Sequence, residues 1–180
     1  MNRDPVLPLT IIEAHAFLDL ALDLAHHAQQ AGDVPVGAIV VANGKVIGKG
    51  YNQKECRQQP TAHAEIMAIQ DAANHLGSWR LGGCILVSTL EPCPMCAGAV
   101  LQARLDAVVY GALDRRWGAL GTRLDLIAVG FNHIPRVHYV PYPPCEQILT
   151  HFFAQRRLQK KGESRINQFP AVTPVESPLG

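Results

Sequence analysis

Two short motifs, each at the predicted start of a helix, constrain this chain more than any other feature of its sequence. The first is His63-Ala64-Glu65, and the second is Cys93-Pro94-Met95-Cys96. On the side of an α-helix, residues two positions apart face nearly opposite directions, because successive residues turn by about 100°. In the first turn, both His63 and Glu65 can instead reach a point just beyond the helix end. A site that uses both motifs requires a fold in which two helix N-termini meet.

The cysteine pair by itself is compatible with a structural zinc site, a redox dithiol or a catalytic metal site. Cys93 and Cys96 form the only Cys-x-x-Cys pair in the chain, so a four-cysteine site lacks its second half. With His63 as the third ligand, one position of a tetrahedral zinc ion stays open, as in catalytic sites. Zinc lowers the pKa of bound water to about 7. Glu65 is then expected to serve as a base and proton shuttle, and not as a ligand.

The rest of the pattern predicts alternating helices and strands. Thr10 and Glu13 form a capping box before a helix that has Ile12, Ala16 and Leu20 on one side. Asn43-Gly44 predicts a β-hairpin, and Thr61 is expected to cap the next helix. Helices are expected at 11–30, 62–74, 94–104 and 143–162, and strands within 36–52, 84–89, 107–112 and 136–140. This order predicts a sheet covered on both faces, with sites outside the carboxyl ends of its strands.

Composition limits the class of protein. A length of 180 residues and an apolar content of 48% fit one domain with a full core. The net charge of +1 excludes a globally basic nucleic-acid binder. The basic run 156–161 is equally compatible with a solvated helix end and with a polyanion contact. The tail, residues 163–180, contains prolines and few large apolar groups, so we expect it to be disordered.

Cysteine usage and hydropathy indicate the compartment. Five cysteines, an odd and sparse set, argue against a disulfide framework. No apolar run resembles a secretory signal or is long enough to cross a bilayer. We therefore expect a soluble protein of a reducing cytosol. Trp79 and Trp117 are expected to be packing residues, and Asn52 is expected to be a turn residue at the end of a strand.

The combined pattern, H-x-E followed by P-C-x-x-C, matches the known signature of zinc-dependent nucleobase deaminases. Longer stretches resemble the bacterial tRNA-specific adenosine deaminases, a branch of the cytidine deaminase-like superfamily: "GDVPVGAIV", "GYN", "PTAHAEIMAI", "TLEPCPMCAGA", "VVYGALD" and "HFFAQRR". The resemblance extends from about residue 13 to residue 160. It implies a three-layer α/β/α cytidine deaminase-like fold with a central mixed five-stranded sheet, within a zinc-dependent deaminase domain of residues 1–162.

The resemblance also implies a function and a set of site residues. The implied reaction is hydrolytic deamination of adenosine to inosine at the wobble position of a tRNA anticodon, in particular that of arginine tRNA. It would be carried out by a cytoplasmic homodimer with one Zn²⁺ per subunit. His63, Cys93 and Cys96 match the zinc ligands, and Glu65 matches the proton shuttle. Positions matching substrate-binding residues are Asn52, Val34, Leu90, Pro92, Asp114, Phe152 and Phe153. The chain departs from the family at Leu113 and Ala154, where basic residues are common.

Two alternative functions remain open from the sequence. One is a zinc-dependent deaminase of a free base or nucleoside, such as guanine or cytosine, because "EPCPMC" also fits guanine deaminases. The other is a non-catalytic zinc module that binds RNA. Glu65 argues against the second, since a structural zinc site needs no carboxylate at that position.

Overall fold

The structure, a computed structural model, describes the backbone of residues 9–166 and the side chains of residues 9–159. Its helices are α1 (Ile11–Gln30), α2 (Lys54–Arg57), α3 (Ala64–Leu76), α4 (Pro94–Ala103) and α5 (Pro143–Ile166). Its strands are β1 (Gly37–Ala42), β2 (Lys45–Tyr51), β3 (Cys84–Ser88), β4 (Ala107–Tyr110) and β5 (Arg136–Tyr139). Of these elements, only the single-turn helix α2 is absent from the sequence-based prediction.

The strands form one mixed five-stranded sheet in the order β2-β1-β3-β4-β5. Strand β1 runs antiparallel to both of its neighbours, whereas β3, β4 and β5 are parallel. Strand β2 therefore points the same way as β3. Tyr51, Ser88 and Tyr110, near the carboxyl ends of β2, β3 and β4, lie in one row through their pairing across Gly37 and Ala38. The segments that follow these strands meet at a single edge of the sheet.

Helices cover both faces of the sheet, so the predicted three-layer α/β/α architecture is confirmed. On one face, Ala68 of α3 and Val100 of α4 pack with Leu86 of β3 in the larger core cluster. On the other face, Leu18 of α1 and Cys145 of α5 belong to a second cluster that is built on alternate strand residues. The alternation of side chains along each strand supplies both cores.

The side of α1 that faces the sheet is lined mainly by alanines. The expected apolar side faces away from it, and Ile12 is 82% exposed. The reason lies in Gly37 of β1, where an added Cβ would come within 1.9 Å of the Ala21 carbonyl oxygen. A helix that approaches a strand this closely accepts only small side chains. The buried positions of α1 are accordingly Ala14, Leu18, Ala21, Ala25 and Ala28.

Helix α3 lies equally close to β2. A Cβ at Gly50 would come within 2.2 Å of the Ala64 carbonyl oxygen, and one at Gly48 within 2.4 Å of the Ala68 carbonyl oxygen. Glycine at both positions lets the α3 backbone rest directly on the strand. The first turn of α3, which carries Glu65, is thereby held at the carboxyl end of β2.

The C-terminal helix continues to Ile166 and so includes residues 163–166 of the predicted tail. Residues 167–180 lie outside the described part of the chain, and the disorder expected for them stays a prediction, as does the domain boundary at residue 162. Within residues 9–166, no helix combines the length and the apolar character that crossing a bilayer would require.

Candidate active site

His63 and Cys93 occupy equivalent positions at the starts of two helices. His63 is the N-cap of α3, with φ −83° and ψ 151°, and Cys93 is the N-cap of α4, with φ −72° and ψ 172°. Neither side chain accepts a capping hydrogen bond from its helix. Both side chains are therefore available for another partner. Cys96 follows in the first turn of α4 and is fully buried.

The Asn52 side chain caps the start of α3 in place of the expected Thr61. Its side-chain oxygen accepts a hydrogen bond from the Ala64 N–H at 2.9 Å, and its amide nitrogen donates to the Val34 carbonyl at 3.1 Å. The expectation that Thr61 caps this helix is therefore wrong. Asn52 connects the end of β2, the approach to β1 and the start of α3. One amide N–H and one lone pair of Asn52 remain for a further partner.

The side chains of His63, Cys93 and Cys96 converge on one point. The Cys93 and Cys96 Sγ atoms are 3.6 Å apart, and His63 Nδ1 lies 3.7 Å from Cys93 Sγ and 3.6 Å from Cys96 Sγ. Tetrahedral zinc with Zn–S of about 2.3 Å and Zn–N of about 2.0–2.1 Å separates two sulfurs by about 3.8 Å and a sulfur from a nitrogen by about 3.6 Å. The three donor atoms thus fit one zinc ion. Within the described residues, no other group of three or more His, Cys, Asp or Glu side chains is close enough together to hold a metal.

Glu65 lies in the first turn of α3 and is only 4% exposed. Burial raises the pKa of its carboxyl to about 7, and the nearby Cys93 adds to this effect. A cation held by the neighbouring triad would act in the opposite direction, because it favours the ionised carboxylate. Burial and a bound cation together would leave Glu65 able both to accept and to release a proton near neutral pH.

The two thiols share a hydrogen bond that makes them unequal. The side-chain contact with Cys96 lowers the pKa of Cys93 to about 4, and His63 contributes in the same direction. The same contact with Cys93 raises the pKa of Cys96. Thiolate is the form that binds metal, and the lowered pKa of Cys93 favours that form. A zinc ion would deprotonate the second thiol as well.

Four of the predicted substrate-binding residues lie in or against the segments that adjoin His63 and Cys93. Val34 and Asn52 are joined by their hydrogen bond, and Asn52 contacts the start of α3 directly. Leu90 and Pro92 belong to the short segment that connects β3 to Cys93; Leu90 is half-buried and Pro92 is buried. Asn52 and Pro92 thus adjoin His63 and Cys93, and Val34 lies next to Asn52.

The other three predicted residues lie farther along the chain. The Asp114 side chain accepts hydrogen bonds from the Arg116 N–H at 2.8 Å and the Trp117 N–H at 3.1 Å, so it caps a turn. Phe152 and Phe153 of α5 form an edge-to-face pair 5.4 Å apart. Phe152 is buried and Phe153 is exposed. The Arg116 guanidinium lies 5.8 Å from the Phe153 ring centre, which places this turn near α5.

Both tryptophans contradict the packing role expected for them. Trp117 is 67% exposed and Trp79 is 56% exposed. Each lies in a segment between regular elements, and the Arg80 guanidinium covers the Trp79 ring at 4.1 Å from its centre. In the sequence, the signal that Trp117 is a surface residue is its position directly after Arg115 and Arg116. Glu91, which is buried two positions before Cys93, was not predicted from the sequence to be a site residue.

Comparisons with known proteins agree with this geometry. Residues 12–112 match the family model for the cytidine and deoxycytidylate deaminase zinc-binding region. The tRNA-specific adenosine deaminase of Bacillus subtilis is 42% identical over 147 residues, which are 81% of this chain and 91% of that protein. A structure from studies of A-to-I editing by tRNA:A34 deaminases at the wobble position of transfer RNA has a TM-score of 0.72 at 37% identity. That match covers 75% of this chain and 99% of the other.

A guanine deaminase structure from Bacillus subtilis is also similar, at 39% identity. Its TM-score is 0.54, and the match covers 66% of this chain and 71% of the other. The tRNA:A34 deaminase structure thus agrees with this chain over more residues and with the higher TM-score. The matched zinc-binding region contains His63, Glu65, Cys93 and Cys96.

Proposed function

Because the chain belongs to the family of tRNA-specific adenosine deaminases, within the zinc-binding cytidine and deoxycytidylate deaminases, we propose that it converts adenosine to inosine at the wobble position of a tRNA anticodon. One observation carries this proposal. The donor atoms of His63, Cys93 and Cys96 have the spacing of a tetrahedral zinc site, with the buried carboxyl of Glu65 beside them. Three protein ligands leave the fourth position open for chemistry.

Each residue of the site has a separate task in this reaction. His63, Cys93 and Cys96 would hold one zinc ion per subunit, and that ion would supply water activated for attack near neutral pH. Glu65 accepts a proton from the attacking water and delivers it to the amino nitrogen on C6 of the adenine. The C6–N bond breaks, ammonia leaves, and the base becomes hypoxanthine. The enclosed carboxyl is suited to this transfer because bulk water does not compete for its proton.

The residues around the triad suit a base presented by a loop. Asn52 offers its remaining amide groups to the nucleoside, while Val34, Leu90 and Pro92 supply apolar walls. An anticodon loop already exposes unstacked bases, so the adenine enters at a modest energetic cost. Zinc deaminases with this signature recognise the extruded base through hydrogen bonds to its Watson–Crick edge and through contacts to the flanking nucleotides.

An exposed surface formed by the turn after β4 suits RNA. Arg115, Arg116 and Trp117 are all exposed, and Phe153 of α5 lies next to Arg116. Arginines attract the phosphate backbone, and aromatic side chains stack on unpaired bases. Asp114 supports this surface by capping the turn.

The direct test compares substrates with one preparation of the zinc-loaded protein. We expect inosine in an arginine tRNA transcript that has A at the wobble position, measured by nucleoside mass spectrometry. The matched control is the same transcript with G at that position. Guanine, cytosine and adenosine are incubated separately, with release of ammonia as the readout. Ammonia from a free base without inosine in the tRNA would establish the free-base alternative instead.

We also propose that the chain acts as a cytoplasmic homodimer, since its tRNA substrate is found in that compartment. Leu124, Val129 and Phe131 expose apolar side chains in the segment between β4 and β5. A hydrogen bond of 2.7 Å from Arg104 to Asn132 holds this segment against the end of α4. Such a surface beside a zinc-binding helix suits a second copy of the chain.

Light scattering is expected to give about twice the chain mass of 19.6 kDa for the wild type. Phe131→Asp should lower that mass, because it places a charge within an apolar interface. Trp79→Asp, which alters an exposed aromatic residue elsewhere, serves as the matched control. A wild-type protein with the mass of one chain at micromolar concentration would contradict the dimer.

A further inference from the structure

We propose that Glu91 is a positioning residue that fixes the loop of residues 114–122 to the zinc-binding segment and so determines how tightly the RNA is held. The inference rests on the proposed function, because it assigns that loop to RNA. It concerns a carboxylate that has no part in the chemistry described above.

Glu91 is enclosed at the point where β3 leads into the zinc-binding helix. It is 1% exposed, and its neighbours Leu90 and Pro92 are the predicted pocket walls. Two main-chain hydrogen bonds fix this segment to residues that follow β4. The Glu91 N–H donates to the Ala112 carbonyl at 2.9 Å, and the adjacent Pro92 carbonyl accepts from the Ala119 N–H at 3.0 Å.

A buried carboxylate requires compensation, and here one loop supplies it. Glu91 Oε1 accepts hydrogen bonds from the N–H groups of Leu120 at 3.0 Å and Thr122 at 3.1 Å. Glu91 Oε2 accepts from the Asp114 N–H at 3.2 Å. Within the described residues, no Lys, Arg or His side chain forms an ion pair with Glu91. Backbone amides from both ends of the loop therefore take the place of a cation.

The loop closes tightly around this carboxylate. A Cβ at Gly118 would lie 2.3 Å from Glu91 Oε2 and 2.5 Å from the Asp114 carbonyl oxygen. Gly118 does not have a positive φ, so the backbone conformation itself would accept alanine. The absence of a side chain at Gly118 is thus required by the approach of Glu91.

The loop presents its polar and aromatic side chains outward. Asp114, whose N–H contacts Glu91, caps the turn that carries Arg116 and Trp117. Glu91 consequently holds the base of the turn, and the exposed surface proposed for RNA lies at its top. This carboxylate connects the segment before Cys93 with the surface that receives the anticodon loop.

The connection predicts a specific kinetic signature for Glu91→Gln. The substituted side chain has one acceptor oxygen in place of two, so at least one loop N–H would face another N–H donor. We expect KM for tRNA to rise about tenfold or more, the factor associated with losing a hydrogen bond to a charged group. We expect kcat to stay within about threefold of wild type, since Glu91 does not touch reacting atoms. Removing a negative charge would by itself strengthen RNA binding, so charge alone predicts the opposite change.

The loop itself is followed by amide hydrogen exchange of the zinc-loaded protein without RNA. Exchange at Asp114, Leu120 and Thr122 should accelerate in Glu91→Gln, while α4 keeps its protection and the zinc content is unchanged. Asp71→Asn is the matched control, because the Asp71 carboxylate accepts one backbone N–H, from Lys49, at an exposed position. It should change neither the loop nor KM.

Gly118→Ala tests the same contact from the loop side and replaces Glu91→Gln if that variant does not fold. It should reproduce the faster exchange and the higher KM. Unchanged exchange in the loop, or a loss of kcat at unaltered KM, would overturn the inference in either variant. A wild-type protein that forms no inosine in tRNA would instead refute the proposed function, and the exchange experiment would still show whether Glu91 holds the loop.

Discussion

Replacing Glu65 with alanine is expected to abolish deamination while the zinc content and the fold stay intact. Glu65 lies beside the three donor atoms but is not one of them, so its removal leaves His63, Cys93 and Cys96 in place. Losing a positioned acid–base group lowers kcat by about 10²- to 10⁴-fold. The loss should lie at the upper end here, because Glu65 acts twice, first on the attacking water and then on the leaving nitrogen.

The experiment combines single-turnover deamination of the tRNA with zinc analysis and circular dichroism. Glu65→Gln is the matched variant, since it keeps the shape of the side chain but cannot transfer a proton in the same way. Both variants should bind tRNA with near wild-type affinity. Retained turnover would remove Glu65 from the mechanism. Loss of zinc would indicate that Glu65 is itself a ligand. The fourth coordination position would then not be open for the proposed reaction.

Replacing Cys93 with alanine is expected to remove the metal and, with it, all activity. Two ligands, His63 and Cys96, would remain, and protein zinc sites are almost always held by three or four. The zinc content should fall from about one ion per subunit to near zero. The melting temperature should also fall, because an ion that binds only the folded state stabilises it.

Cys56→Ala is the matched control for this variant. Cys56 is an exposed cysteine of α2 and lies outside the triad. Zinc is measured by atomic emission after dialysis against a weak chelator, in parallel with the tRNA assay. An unchanged zinc content in Cys93→Ala would refute the role of Cys93 as a ligand. Full activity without zinc would refute the metal-dependent reaction as a whole.

Features that depend on neighbouring residues were predictable from the sequence. The capping box of Thr10 and Glu13 forms as expected. Asn43 and Gly44 both adopt the positive φ that a tight hairpin between β1 and β2 requires. The helix that follows Cys93 begins at Pro94 as expected, whereas the helix that follows His63 begins at Ala64, two residues later than expected. These features are local because each is set by residues a few positions apart and by the helix and strand periods.

The contacts made at the edge of the sheet were decided only by the tertiary structure. Asn52 caps α3 from 12 positions away, and Glu91 binds amides 23 to 31 positions away. A local propensity contains no information about such pairs, because the register of β2, β3 and β4 determines which segments meet. The exposure of Trp117 follows from the same cause, since it depends on how the 114–122 loop is held. The sequence by itself therefore determined the donor atoms and the order of the elements, whereas the sheet decided which of them share one site.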